Sequence, residues 1–173
     1  METLMPHPRE QFWSEAHTLL QSEQSWSDRC TALTALVESY DCGHALLKAG
    51  PRPDCDSDTG IATPLPDDEI GYRCFFKSWD TEEETGIHGH PNTMFVYVMT
   101  VELESVGYQR QGQGIAIADT LRYRSGQVMT GRVENEKYDN FIHNVRCIQP
   151  GWSLHIYSDS GTRGLRFDEN AVE

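Results

Sequence analysis

The chain is poor in positive charge, with 14 Lys and Arg among 173 residues against 27 Asp and Glu, for a formal net charge of −13. Nucleic acid and anionic membrane surfaces are polyanions, so such a balance excludes both as expected partners. Long apolar runs are missing as well. The stretch Phe95 to Met99 is among the longest, far below the ~20 residues that a membrane-spanning helix requires. Residues Met1 to Pro6 lack the basic start and apolar core of a secretory signal, and cytoplasmic localisation is the expectation. Cysteines number five, at 30, 42, 55, 74 and 147, with no C-x-x-C pair. An odd, scattered set is neither a disulfide framework nor a zinc ribbon, and free thiols in a reducing compartment fit it.

What is present is enough for a core. At 173 residues, 38% hydrophobic and 10% aromatic, the chain is expected to fold as a single domain over 1–173 without staples. Phe12, Trp13, Ala16, Leu19 and Leu20 recur at helical steps, and so do Trp26, Cys30, Leu33, Leu36 and Val37, which predicts two helices in an N-terminal segment over 1–48. Ser25 or Ser27 can cap the second. Residues 49–68 carry Pro51, Pro53, Pro64 and Pro66 with many Asp, and read as loop. From there the period changes to two. Tyr72–Phe76, Met94–Val101, Gly114–Tyr123, Phe141–Ile148 and Trp152–Tyr157 read as short strands between turn signals, predicting an antiparallel β-sandwich or barrel over 69–168.

Two patterns carry chemistry. His88-Gly89-His90 puts two imidazoles on one face of an extended segment, half of a site for a first-row divalent metal. In Ser153-Leu154-His155-Ile156-Tyr157 the three polar residues share one face and the two apolar residues the other. If that apolar face packs outside the barrel, the polar face is turned inward. Its hydroxyl, imidazole and phenol can then satisfy one another. The alternatives are a solvated strand pair for the first pattern and a half-exposed strand for the second. Gly112-Gln113-Gly114 lacks the third glycine and the helix of a dinucleotide loop. Ser153 lacks a nucleophile elbow. Glu82-Glu83-Glu84 reads as a solvated turn.

With Trp79 upstream, Ile87-His88-Gly89-His90 and the later Ser153-Leu154-His155-Ile156-Tyr157 resemble the cysteine dioxygenase family of cupins. The likeness covers about Trp79 to Tyr157, and its second half is the more specific. It implies a cupin-type antiparallel β-barrel behind N-terminal helices. It also implies a ferrous ion held by His88, His90 and His143, with Ser153, His155 and Tyr157 as the row beside it. The segment Pro91 to Phe95 has no carboxylate, an absence that, within the resemblance, supports the three-histidine, thiol dioxygenase branch. Phe95 stands where some members cross-link a cysteine to the tyrosine, so Tyr157 is expected to be a free phenol. The stretch Gly60 to Pro64 lacks the arginine of the cysteine-using enzymes; Arg73, on a strand feeding the barrel, is the first candidate for holding a substrate carboxylate, and Arg163 and Arg166 are the others.

The expected activity is therefore oxidation of a small thiol, preferably a thiol carboxylic acid, by O2. The alternatives are a cupin metalloenzyme of other chemistry and a metal-free small-molecule-binding cupin. The oligomeric state is open.

Overall fold

The computed structural model describes residues 7–48, 72–133, 138–158 and 164–172. The predicted 49–68 loop, Gly60–Pro64, Cys55 and Arg163 lie outside the described residues.

Helix α1 (Pro8–Gln21) begins with proline at its first turn, and the His7 side chain accepts from the Arg9 amide as its cap. Proline is tolerated there because the first helical amides lack intrahelical acceptors anyway. Phe12, Ala16 and Leu20, four apart, form its buried stripe. Helix α2 (Trp26–Ser39) is capped by Ser25, whose hydroxyl oxygen accepts from the Asp28 amide at 3.2 Å. Trp26, Cys30, Leu33 and Val37 make its inward face. Asp41, Cys42 and Gly43 all adopt positive φ before the short α3 (His44–Lys48), a third helical piece that the sequence pattern did not announce.

Eight strands follow: β1 (Arg73–Trp79), β2 (His88–His90), β3 (Thr93–Val98), β4 (Glu102–Gln111), β5 (Gly114–Tyr123), β6 (Val128–Arg132), β7 (Asn140–Gln149) and β8 (Gly151–Tyr157). They form two four-stranded antiparallel sheets, ordered β1-β8-β3-β6 and β2-β7-β4-β5. The mostly β, antiparallel class behind N-terminal helices that the sequence leads one to expect is the class observed. The barrel takes the form of two facing sheets, with no ladder joining one to the other among the described residues.

Three apolar layers hold this together. The helices cover the outer face of the first sheet, where Phe12, Leu33 and Leu46 pack with Phe76, Phe95, Tyr97, Leu154 and Ile156. Between the sheets lie Trp79, Met94, Val96, Val98, Leu103, Val145, Cys147 and Tyr157. On the outer face of the second sheet, Ile87, Ile115 and Ile142 meet Phe167 and Val172. Sheet β1-β8-β3-β6 is thus buried on both faces, which is why β3 is buried at every position instead of alternating.

The third layer exists because a C-terminal strap crosses the second sheet. The Gly89 amide donates to the Leu165 carbonyl at 2.8 Å and the Phe167 amide to the Ile87 carbonyl at 3.0 Å. Val172 then bridges Ile115 in β5, so the strap ties the β2 edge to the β5 edge. Cys30, Cys42, Cys74 and Cys147 are unpaired. No described helix is long and apolar enough to cross a membrane.

Candidate metal centre

Strand β2 is three residues long and carries two of the three histidines that converge. His88 and His90 point to the same side because side chains alternate along a strand. His143 of β7 sits directly opposite His88 in the ladder. The ring centroids are 4.7 Å apart for His88–His90, 4.9 Å for His88–His143 and 4.7 Å for His90–His143. Nε2 of His90 and Nε2 of His143 approach to 2.9 Å, and one nitrogen from each of the three rings lies within 4.8 Å of the others. The group contains no carboxylate.

These rings fit a metal ion. Two nitrogens at right angles on a metal, each about 2.1 Å away, stand about 3.0 Å apart, close to the 2.9 Å seen. Nδ1 of His88 donates to the Gly86 carbonyl at 2.9 Å, which fixes the tautomer and leaves Nε2 as the free ligand atom. Burial, joined by the Arg166 charge, lowers the pKa of His88. Burial also drives His90 well down, and the neighbouring imidazoles and Arg166 add to the effect. His143 is pushed down to about 3 by burial and by its neighbours. All three are neutral near pH 7, the state in which imidazole offers a lone pair. A buried Nδ1 on His90 has no partner.

Beside the triad runs the polar row of β8. Ser153 Oγ and His155 Nε2 are 2.7 Å apart, and His155 Nδ1 and the Tyr157 hydroxyl 2.8 Å. The expected apolar partners, Leu154 and Ile156, face the helices, so the polar face is turned to the space between the sheets. The Tyr157 ring stacks on His90 at 5.1 Å and 29°, which joins row and triad. Phe75 stacks on His155 at 4.8 Å and 8°. Burial, with a contribution from Lys77, takes His155 down to about 3. Burial raises the Tyr157 phenol, so it is protonated at neutral pH.

Some contributors were not legible as such. The Trp79 indole N–H donates to Ser153 Oγ at 2.8 Å, lengthening the row by one residue 74 positions away. The Lys77 ammonium lies 4.2 Å over the Trp79 ring and pairs with Glu83. The side-chain amide of Asn140 donates to the His90 carbonyl at 3.3 Å. Glu82-Glu83-Glu84 is therefore more than a solvated turn: Glu83 also accepts from the Asp80 amide, and Glu84 from the Asn144 side chain.

The register corrects one assignment. Met94, not Phe95, stands opposite Tyr157 on β3, while Phe95 pairs with Ile156 and belongs to the helix-side core. A shift of one residue on a strand changes the face, and Phe95 is on the wrong one to meet the phenol. Of the arginines, Arg73 occupies the position opposite Tyr157 in the β1–β8 ladder. Arg166 bridges His88 from the strap, its guanidinium donating to the Thr85 carbonyl. A cavity of about 520 Å³ opens on the far side of the β2-β7-β4-β5 sheet, lined by Glu84, Tyr108, Asn144, Phe167 and Asp168 among others, and none of the histidines reaches it.

No family model and no curated protein matches the chain. Solved structures with similar coordinates include an RmlC-like cupin from Shewanella frigidimarina, 14% identical over 53% of this chain and 68% of that one, with a TM-score of 0.39. A cupin superfamily protein from Desulfitobacterium hafniense is 9% identical over 58% and 74%, TM-score 0.42. A variant of the Bacillus subtilis oxalate decarboxylase is 12% identical over 60% of this chain but only 24% of the other, TM-score 0.41. The residues themselves form a three-histidine group suited to a transition metal on a scaffold of two antiparallel sheets.

Proposed function

We propose that the protein is a thiol dioxygenase dependent on ferrous iron, converting R–SH and O2 into R–SO2H with both oxygen atoms ending on sulfur. The observation that carries this reading is the pairing of a carboxylate-free histidine triad with the Ser153–His155–Tyr157 row stacked against it. Iron held by His88, His90 and His143 would supply the redox chemistry with O2 and a full positive charge that favours thiolate over thiol.

The chain's own residues do the rest. Three neutral imidazoles add no negative charge, unlike a ligand set containing a carboxylate. Bringing thiol and O2 to one centre makes sulfur oxidation effectively intramolecular. Tyr157 presents a protonated phenol beside His90, where it can hydrogen-bond to a bound reactant, and His155 and Ser153 fix its position. Phe75, Met94 and Val96 keep the surroundings apolar, which strengthens every such hydrogen bond. Arg166, beside His88, is the favoured partner for a substrate carboxylate, with Arg73 and Arg163 as the other candidates. A buried carboxylate requires such a cation.

The test is oxygen uptake by protein reconstituted anaerobically with ferrous iron, offered cysteine, 3-mercaptopropionate, mercaptosuccinate and cysteamine. The reading expects stoichiometric uptake with an acidic thiol and a product heavier by two oxygen atoms. An iron-replete protein that consumes oxygen with none of the thiols defeats it in favour of another metalloenzyme. A protein that takes up no metal at all is a binding module.

A further inference from the structure

We propose that Phe141 is a specificity-determining residue of the triad site, its ring a wall that admits thiols carrying little on the carbon next to sulfur and turns away those with a bulky group there.

A bulge interrupts the ladder beside the ligands. His88 stands opposite His143, but His90 stands opposite Asn140, so two steps along β2 are matched by three along β7. Regular pairing would set Phe141 against His90; the extra residue in β7 shifts it out of the ladder and re-aims its side chain, as bulges do. Phe141 takes a φ of +50° there, in the left-handed region that a bulky residue avoids and glycine accepts. Its neighbours hold it in place. The Asn140 side-chain amide donates to the His90 carbonyl at 3.3 Å, and Ile142 is buried with Ile87 and Ile115 on the outer face. A phenylalanine kept where glycine would be easier points to a side chain with a use.

Gly131 of β6 shows where the ring lies. A Cβ built on that glycine falls 2.6 Å from Phe141 Cδ1 and Cζ, and closer still to Cε1, so the ring fills the place of the absent side chain. Gly131 pairs with Met94, and Met94 with Tyr157. Directly opposed residues share a face, and Met94 and Tyr157 belong to the layer between the sheets. The Phe141 ring, Met94 and Tyr157 therefore stand in one row across the inner face of the first sheet, the ring reaching over from the second. That row meets the triad at Tyr157, which stacks on His90. Met94 and Tyr157 are buried and Phe141 only partly so, which makes the ring the member of the row that borders solvent.

Such a wall discriminates by bulk and leaves charge to the arginines. A thiol whose sulfur is drawn to the triad brings its first carbon into the same space. A large substituent on that carbon meets the ring, whereas a plain CH2 does not, and packed apolar walls yield little to excess volume.

The inference rests on the thiol reading for the class of ligand, but its test uses binding and no oxygen. The full chain, loaded anaerobically with cobalt(II), is titrated with mercaptoacetate and with 2-mercapto-2-phenylacetate, which differ only by a phenyl group on the carbon next to sulfur. The sulfur-to-cobalt absorption band reports occupancy. The wild type is expected to bind mercaptoacetate about 10-fold the tighter or more. In Phe141→Gly, where glycine accepts the backbone of the bulge, that ratio should fall about 10-fold, with mercaptoacetate affinity and cobalt content unchanged. Phe141→Leu should lie between. A wild type that binds both thiols equally overturns the inference, and so does a ratio that neither variant alters. Should Phe141→Gly not fold, Phe141→Leu, which keeps an apolar side chain in the layer, decides alone. An iron form that consumes oxygen with no thiol defeats the dioxygenase reading and leaves the size selection standing.

Discussion

Substituting Gly89, the residue between the two β2 histidines, by alanine should cost both stability and metal. A Cβ built there falls 2.5 Å from the Tyr138 carbonyl oxygen and 2.7 Å from the Asp139 Cα. Ordinary contact begins at 3.4 Å, so about 0.9 Å of separation is missing, and the atoms in the way are backbone. No rotamer change can relieve it; β2 must move away from the start of β7. Such a movement exceeds the ~0.5 Å within which a ligand constellation has to be held. It would also part His88 and His90 from His143, which stands on β7. Overpacking of this kind costs about 1–3 kcal/mol, and displaced ligands should weaken metal binding at least 10–100-fold, the range found when only the supporting partners of a ligand are lost. The assay is a cobalt or ferrous titration by calorimetry, run well below the melting temperature of the variant measured alongside. A lower melting temperature with unchanged metal affinity would refute the reasoning, because the strand would then have moved without its ligands.

His88→Ala, His90→Ala and His143→Ala should each lose most of the bound metal, and full iron in His143→Ala would remove it from the ligand set. Tyr157→Phe should keep the metal and slow turnover about 10²-fold, the usual cost of one well-placed donor; unchanged kinetics would make the row structural. Arg166→Ala should raise KM for an acidic thiol, by about 2–5 kcal/mol of binding if the pair is desolvated, while leaving cysteamine unaffected; an equal effect on both would clear the arginine of carboxylate binding. The metal-free protein should lose stability as the pH falls below about 6.5. His143 and His155 are held near about 3 when folded and return to their ordinary value of 6.5 when unfolded, so the unfolded chain takes up protons that the folded chain refuses. Their stabilisation is complete above 6.5 and drains by about 1.4 kcal/mol per pH unit for each histidine on the way down. Urea midpoints between pH 6 and 5, above the carboxylate range, check this; a flat or rising profile contradicts it.

The helices were legible because Phe12, Ala16, Leu20 and Trp26, Cys30, Leu33 mark a period that only one structure explains, and Ser25 caps where a serine should. Five of the strands were legible from their composition, and the β8 alternation gave the right face to Ser153, His155 and Tyr157. Strand β4 was missed because its end, from Gln109 on, is polar and exposed, and β6 because five residues with a glycine carry too little pattern. Pairing partners were beyond reach. Which of Met94 and Phe95 meets Tyr157 depends on a one-residue register, and the Trp79–Ser153 hydrogen bond spans 74 positions. The role of the strap could not be read either, since Leu165 to Phe167 acts through backbone groups that every residue possesses.

That strap also bears on the order in which the chain becomes competent. Strand β2 is only three residues long, and its outer edge is completed by Leu165 and Phe167, about eighty positions further along the chain. A contact of such long range closes late, because the entropy of a large loop must be spent before the contact rewards it. During synthesis the two β2 histidines emerge well before the segment that pins them, and for that interval they hang on a strand with one edge unsatisfied. The three-histidine group is therefore complete and supported on both edges of β2 only in the finished molecule, and a partly made chain presents a metal ion with an unpinned pair of imidazoles.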